Sequence, residues 1–109
     1  MSTKKTAKDP DTVPIRGDVD HRIVGHVPIK KILEIDGFRG FALHRCFYFP
    51  KVWRVTEMRS GGSIATGKTQ SEAISRAKMR ARAAVKKHGS MKKALAWGYR
   101  RLKRLGVQL

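Results

Sequence analysis

The chain has 109 residues and a mass of 12.3 kDa, room for one small domain, with 40% hydrophobic and 30% charged residues. Its 25 Lys and Arg against eight Asp and Glu give a formal charge of +17 and a pI near 11.1, an imbalance that makes a compact chain repel itself and points to a polyanionic partner. No apolar run approaches the ~18 residues of a membrane span, the polar residues 1–10 lack the apolar stretch of a secretory signal, and the lone Cys46 excludes an intrachain disulfide scaffold, so a reducing cytoplasm is the expected setting.

The charge is unevenly spread. Residues 1–36 carry seven basic and six acidic side chains, residues 37–72 carry six and two, and residues 73–109 carry twelve and none. A nearly neutral front end is joined to an intensely basic back end.

Taken in chain order, residues 1–20 are Lys, Thr, Asp and Pro with little that is apolar. They are expected to form a flexible polar tail, because they bury too little to offset the entropy of ordering. A single basic α+β domain is expected over residues 21–109. Residues 21–27 are ambiguous, with a short strand as one reading. Residues 29–35 read either as a helix opened by Pro28, with Ile29, Ile32 and Leu33 on one side, or as a strand. The Asp36-Gly37 pair that follows is a hairpin signal and favours the strand.

Residues 38–48 are rich in aromatics and read as a strand with Phe41, Leu43 and Phe47 on one side, closed by Pro50. Residues 51–58 alternate, placing Trp53 and Val55 on one face and Arg54 and Thr56 on the other. Ser60-Gly61-Gly62 reads as a turn and residues 63–66 as a return strand, completing an antiparallel meander.

Two helices follow. Thr69-Gln70-Ser71-Glu72 is a capping box, in which the Thr hydroxyl meets an orphan amide and the Glu reaches back. Ala73, Ile74, Ala77, Ala81, Ala84 and Val85 share one face, and Gly89 stands where a left-handed cap belongs. Ser90 is a second N-cap, and Met91, Ala94, Leu95, Gly98, Leu102 and Leu105 form the inner stripe of the last helix, flanked by Trp97 and Tyr99. The expected architecture is α+β: a small antiparallel sheet of three to four strands followed by two C-terminal helices packed on one face.

Residues 62–69 match the phosphate-loop pattern G-x-x-x-x-G-K-[ST] letter for letter. Its interior, Ile64-Ala65, reads as strand, no acid follows Glu72 to hold a metal, and the chain is short for a parallel NTPase sheet, so nucleotide hydrolysis is not expected. Lys68 and Thr69 at a helix start remain suited to any phosphate, including that of a nucleic acid.

Arg76, Lys78, Arg80, Arg82, Lys86 and Lys87 fill the arc opposite the alanine stripe, and no acid balances them. Neutralisation of backbone phosphates is the expected role. Lys92, Lys93, Arg100, Arg101, Lys103 and Arg104 extend the charge along the last helix. A membrane-surface helix is the competing reading of that segment, weighed against the need of the sheet for its apolar stripe. On the strands, Arg45, Arg54 and Arg59, with His44 nearby, are candidates to line a sheet face that enters a groove, while Trp53 and Tyr48 are expected in the core, with stacking on single strands as the lesser alternative. The four histidines are scattered, Cys46 has no partner cysteine, and no catalytic, metal or cofactor site is expected.

The order strand, strand, strand, helix, with Gly67-Lys68-Thr69 before a basic Ala-rich helix, resembles the second half of a double-stranded RNA-binding domain; a helix at residues 28–35 would complete that layout. The basic cluster of that family at the start of its last helix is replaced here by Gln70, Ser71 and Glu72. The layout is similar also to the three-stranded arm-binding modules of phage integrases, and no family is assigned. The sequence reading is a cytoplasmic, non-enzymatic nucleic-acid binder, nucleoid- or ribosome-associated, acting through phosphate contacts, with DNA slightly preferred over RNA because no aromatic pair stands out for stacking. The alternatives are a small inhibitor or adaptor that docks on an acidic protein surface or on a nucleic-acid enzyme, and a ribosomal-type RNA binder.

Overall fold

Side chains of a strand alternate between faces, and two central strands here are apolar on one face and mixed on the other. Phe41, Leu43 and Val55 point one way; Ala42, His44, Arg54 and Thr56 point the other, and all seven are buried. Both faces of the sheet must therefore be covered. A computed structural model, describing residues 10–109, shows how.

Six antiparallel strands form two sheets, followed by two helices. The strands are β1 (Thr12–Arg16), β2 (Ile23–Pro28), β3 (Lys31–Ile35), β4 (Phe38–Arg45), β5 (Trp53–Glu57) and β6 (Ser63–Gly67); the helices are α1 (Gln70–His88) and α2 (Met91–Arg104). β3-β4-β5-β6 make a four-stranded meander, and β1-β2 make a separate two-stranded hairpin. The class is α+β.

The strand reading of residues 29–35 holds over Lys31–Ile35, and the turn behind it has both Asp36 and Gly37 at positive φ, 53° and 78°. Two successive left-handed residues make a hairpin turn whose twist suits the flanking strands, which is why Asp-Gly is favoured there. In β5, Val55 pairs with Leu43 and Ala65, and Thr56 pairs with Ala42. The predicted meander is therefore present, with the expected faces.

The alanine stripe of α1 lies on one face of the meander. Ala73, Ala77 and Ala81 are buried with Leu33, Ile35, Phe41, Leu43, Val55, Ala65 and Met91. Small side chains let the helix approach closely. At Gly67 the approach leaves no room for a β-carbon, which would lie 2.5 Å from the amide nitrogen of Ala73. Both helix caps are as expected: Thr69 and Ser90 accept from the amides of Glu72 and Lys93, and Gly89 is left-handed.

Two expectations need correction. The flexible tail was placed over residues 1–20; residues 1–9 lie outside the described residues, but Thr12–Arg16 form β1, with Val13 and Ile15 buried against Val27 and Ala42. Two β-branched side chains at alternate positions suffice, because a second strand and the back of the meander complete their burial. The sheet of three to four strands becomes two sheets of four and two, since the polar back of the meander needs the hairpin as cover. The two helices share the core on one face of the meander as expected: α2 lies chiefly against α1, and its Met91 and Leu95 join the cluster of Phe41, Leu43 and Ala81.

Candidate functional site

Lys68 and Thr69 sit at the α1 N-terminus as the capping box requires. The Thr69 hydroxyl accepts from the Glu72 amide at 3.1 Å, and a Glu72 carboxylate oxygen accepts from the Lys68 amide at 2.8 Å. The preceding Ser63–Gly67 is strand, paired to β5, so the phosphate-loop letters do not form a cradle of free amides. A carboxylate already occupies the helix start, which opposes a phosphate there. The Lys68 side chain itself is exposed.

The basic face of α1 divides in two. Arg76 and Arg80 reach back to β6, an edge strand: Arg76 donates to the Thr66 carbonyl at 3.2 Å and Arg80 to the Ile64 carbonyl at 2.8 Å. Arg76 also pairs with Glu72 at 3.5 Å. Lys78, Arg82 and Lys86 are exposed and make no such contact with the sheet. On the wheel Lys87 falls beside Arg76 and Arg80, and it approaches Trp97.

On α2, Lys92, Lys93, Arg100, Arg101, Lys103 and Arg104 are all exposed. Trp97 is exposed too, its ring 5.2 Å from that of His88, with Lys87 Nζ and Arg101 Cζ each 5.9 Å from its centre. Tyr99 lies under the Arg59 guanidinium at 4.5 Å and hydrogen-bonds to Glu57, a buried carboxylate that also accepts from the amides of Arg59 and Ser60. Burial, then the Glu57 charge and hydrogen bond, push the Tyr99 phenol well above its usual value. This contact ties α2 to the β5–β6 turn. A cleft of about 450 Å³ remains between the two helices and that turn, lined by apolar groups such as Ile64, Ala84, Leu95 and Leu102.

Arg54 does not reach a groove. It is 8% exposed, covered by the β1–β2 hairpin, and donates through Nε to the Thr56 hydroxyl at 2.8 Å and through Nη2 to the Gly61 carbonyl at 3.0 Å. Burial lowers its pKa. The Thr56 oxygen lies 2.6 Å from Nε2 of His44, whose Nδ1 is 2.7 Å from the Arg45 carbonyl. A carbonyl only accepts, so Nδ1 carries the proton; Thr56, already accepting from Arg54, donates to Nε2. His44 is thus a neutral core group, its pKa lowered mainly by burial. Alternation placed Arg54 opposite Trp53 correctly, but the cover over that face comes from a hairpin whose first strand was expected to be tail.

Arg45 stays at the surface. Its guanidinium lies 4.0 Å from the centre of the Trp53 ring and donates to the Pro50 carbonyl at 3.3 Å. Beside it stands a feature the sequence reading missed. Phe47, Tyr48 and Phe49 were placed on or near a strand, with Tyr48 in the core; they lie instead in the β4–β5 loop, with Tyr48 66% and Phe49 67% exposed. The available signal was that three consecutive aromatics before a proline cannot alternate into one core face.

Among the described residues no helix is long and apolar enough to cross a membrane, and no three His, Cys, Asp or Glu are grouped to hold a metal ion. No family model, curated protein or solved structure matches the chain.

Proposed function

We propose that this chain is a cytoplasmic, non-enzymatic nucleic-acid-binding protein that grips backbone phosphates with the outer faces of α1 and α2. The observation that carries this reading is charge without balance. Twelve Lys and Arg and no acid occupy residues 73–109, and Lys78, Arg82, Lys86 and the six basic residues of α2 are exposed. Such a face concentrates a polyanion by releasing its counterions. The structural duties of Arg76, Arg80 and Arg54 move the expected contacts outward, to Lys78, Arg82 and Lys86.

The test is a salt titration of binding to a labelled duplex. Replacing Lys78, Arg82 and Lys86 together with Gln should weaken binding alike on unrelated sequences. The slope of log affinity against log salt should become shallower by roughly 0.9 for each phosphate of duplex DNA that is no longer neutralised. A triple variant with unchanged slope and affinity would remove the proposal. The apolar cleft beside Trp97 favours a second reading, an adaptor on an acidic protein surface, which would then lead.

A further inference from the structure

The β4–β5 loop is built to hold aromatic rings in water. Its ends are tied by the Cys46 amide donating to the Val52 carbonyl at 2.8 Å, and its turn by the Val52 amide donating to the Phe49 carbonyl at 2.8 Å. Phe47 anchors it: the ring lies on Gly25 of β2, where a β-carbon would fall 2.4 Å from a ring atom. Tyr48 and Phe47 pack in a T-shape, centres 5.0 Å apart at 84°. The rings of Tyr48 and Phe49 remain about two-thirds exposed. Adjacent exposed rings held by an ordered loop cost hydration and mark a contact surface.

The surroundings select the partner. No Asp or Glu occurs between residues 37 and 56. Arg45, parked over Trp53, and Lys51 flank the rings, and both are exposed. At the same end of the sheet, β-register aligns Arg45 with Trp53 and Trp53 with Gly67, which precedes Lys68. Aromatic faces interleaved with cations fit a chain that alternates flat bases with phosphates. Within a duplex the faces of each base are covered by its stacked neighbours, so the rings require unpaired ones.

Resting on the nucleic-acid reading above, we infer that the loop over residues 46–52 is a stacking platform for unpaired nucleobases. The chain then distinguishes single strands, loops and frayed ends from uniform duplex: the helices supply phosphate contacts and Tyr48 and Phe49 supply the base contacts.

The experiment compares labelled oligo-dT and oligo-U of about 12 nucleotides, within the span of small single-strand modules, with a blunt duplex. Anisotropy is read across a salt series. Tyr48→Ala and Phe49→Ala should each weaken single-strand binding about fivefold or more, with the salt slope kept and duplex affinity within about twofold. Tyr48→Phe should retain wild-type affinity, since the ring face persists. Phe47 is left intact because it covers β2, and thermal unfolding confirms that each variant is folded. Single-strand binding within about twofold of wild type in the double alanine variant overturns the platform, as does equal loss on duplex. In either case salt-dependent wild-type binding leaves the phosphate reading standing. If wild type binds no nucleic acid, the earlier proposal fails. Sedimentation with phosphatidylserine vesicles that depends on Tyr48 and Phe49 would then assign the loop to a lipid surface, again overturning the platform.

Discussion

His44 shows how a single residue is assigned by what surrounds it. As one of four scattered histidines it had no legible catalytic role, and it is fully buried between the meander and the β1–β2 hairpin, bonded to Thr56 and to the Arg45 carbonyl. Burial, and to a lesser extent the Arg54 charge, lower its pKa from 6.5 despite the opposing carbonyl bond. The unfolded chain therefore takes up a proton at higher pH than the folded one. This contribution to stability is complete above pH 6.5 and is lost as pH falls from there towards the folded value. Thermal unfolding at about pH 7.5 and about pH 5.5 should show a fall in melting temperature that shrinks in His44→Gln. Equal falls in the two proteins would mean that His44 is not the titrating group.

At the scale of the element, the β1–β2 hairpin is the largest departure from expectation. Removing residues 1–20 was expected to spare the fold. With β1 in place, that truncation strips Val13 and Ile15 from Ala42 and opens the site of Arg54, Thr56 and His44 to water. Losing two buried aliphatic side chains costs about 1.5–3 kcal/mol each in transfer terms alone. A chain starting at residue 21 should therefore unfold at markedly lower urea, or not fold cooperatively. The same transition midpoint as the full chain would show β1 to be dispensable. The edge strand β6 carries a second expectation. Arg76 and Arg80 bond its carbonyls, and charged side chains over an edge discourage pairing with another sheet. Arg76→Ala with Arg80→Ala should raise self-association, seen by light scattering at high concentration, beyond any change in nucleic-acid affinity. The triple variant of Lys78, Arg82 and Lys86 should not.

Across the whole molecule the net charge of +17 acts on every folded state. Ion pairs join Arg22 with Asp20 and Arg76 with Glu72, but eight acids cannot offset 25 cations. Mutual repulsion is therefore mostly uncompensated until a polyanion arrives. The melting temperature should rise with sodium chloride from about 10 to 150 mM, as the screening length shortens from roughly 30 Å to 8 Å. A short polyphosphate should do the same at far lower concentration, and an insensitive melting temperature would contradict this balance. Affinity for nucleic acid should move the opposite way with salt, because binding releases counterions while folding only relieves repulsion.

The elements that rest on local chemistry were legible in the chain itself. The Asp36-Gly37 turn, the alternation through β5, the Thr69 and Ser90 caps and the alanine stripe of α1 each follow from interactions spanning a few residues. The unbalanced charge of residues 73–109 was legible in the same way, since exposed charge needs no partner to be counted. What depended on contacts distant in sequence was not. Whether Arg54 faced water turned on a hairpin far upstream in the chain, and whether Arg76 and Arg80 were free turned on which strand lay at the sheet edge. Whether Tyr48 was core or surface turned on where β4 stopped. Burial is a property of the assembled layers: a strand pattern says which residues share a face, and only packing says what lies across from it.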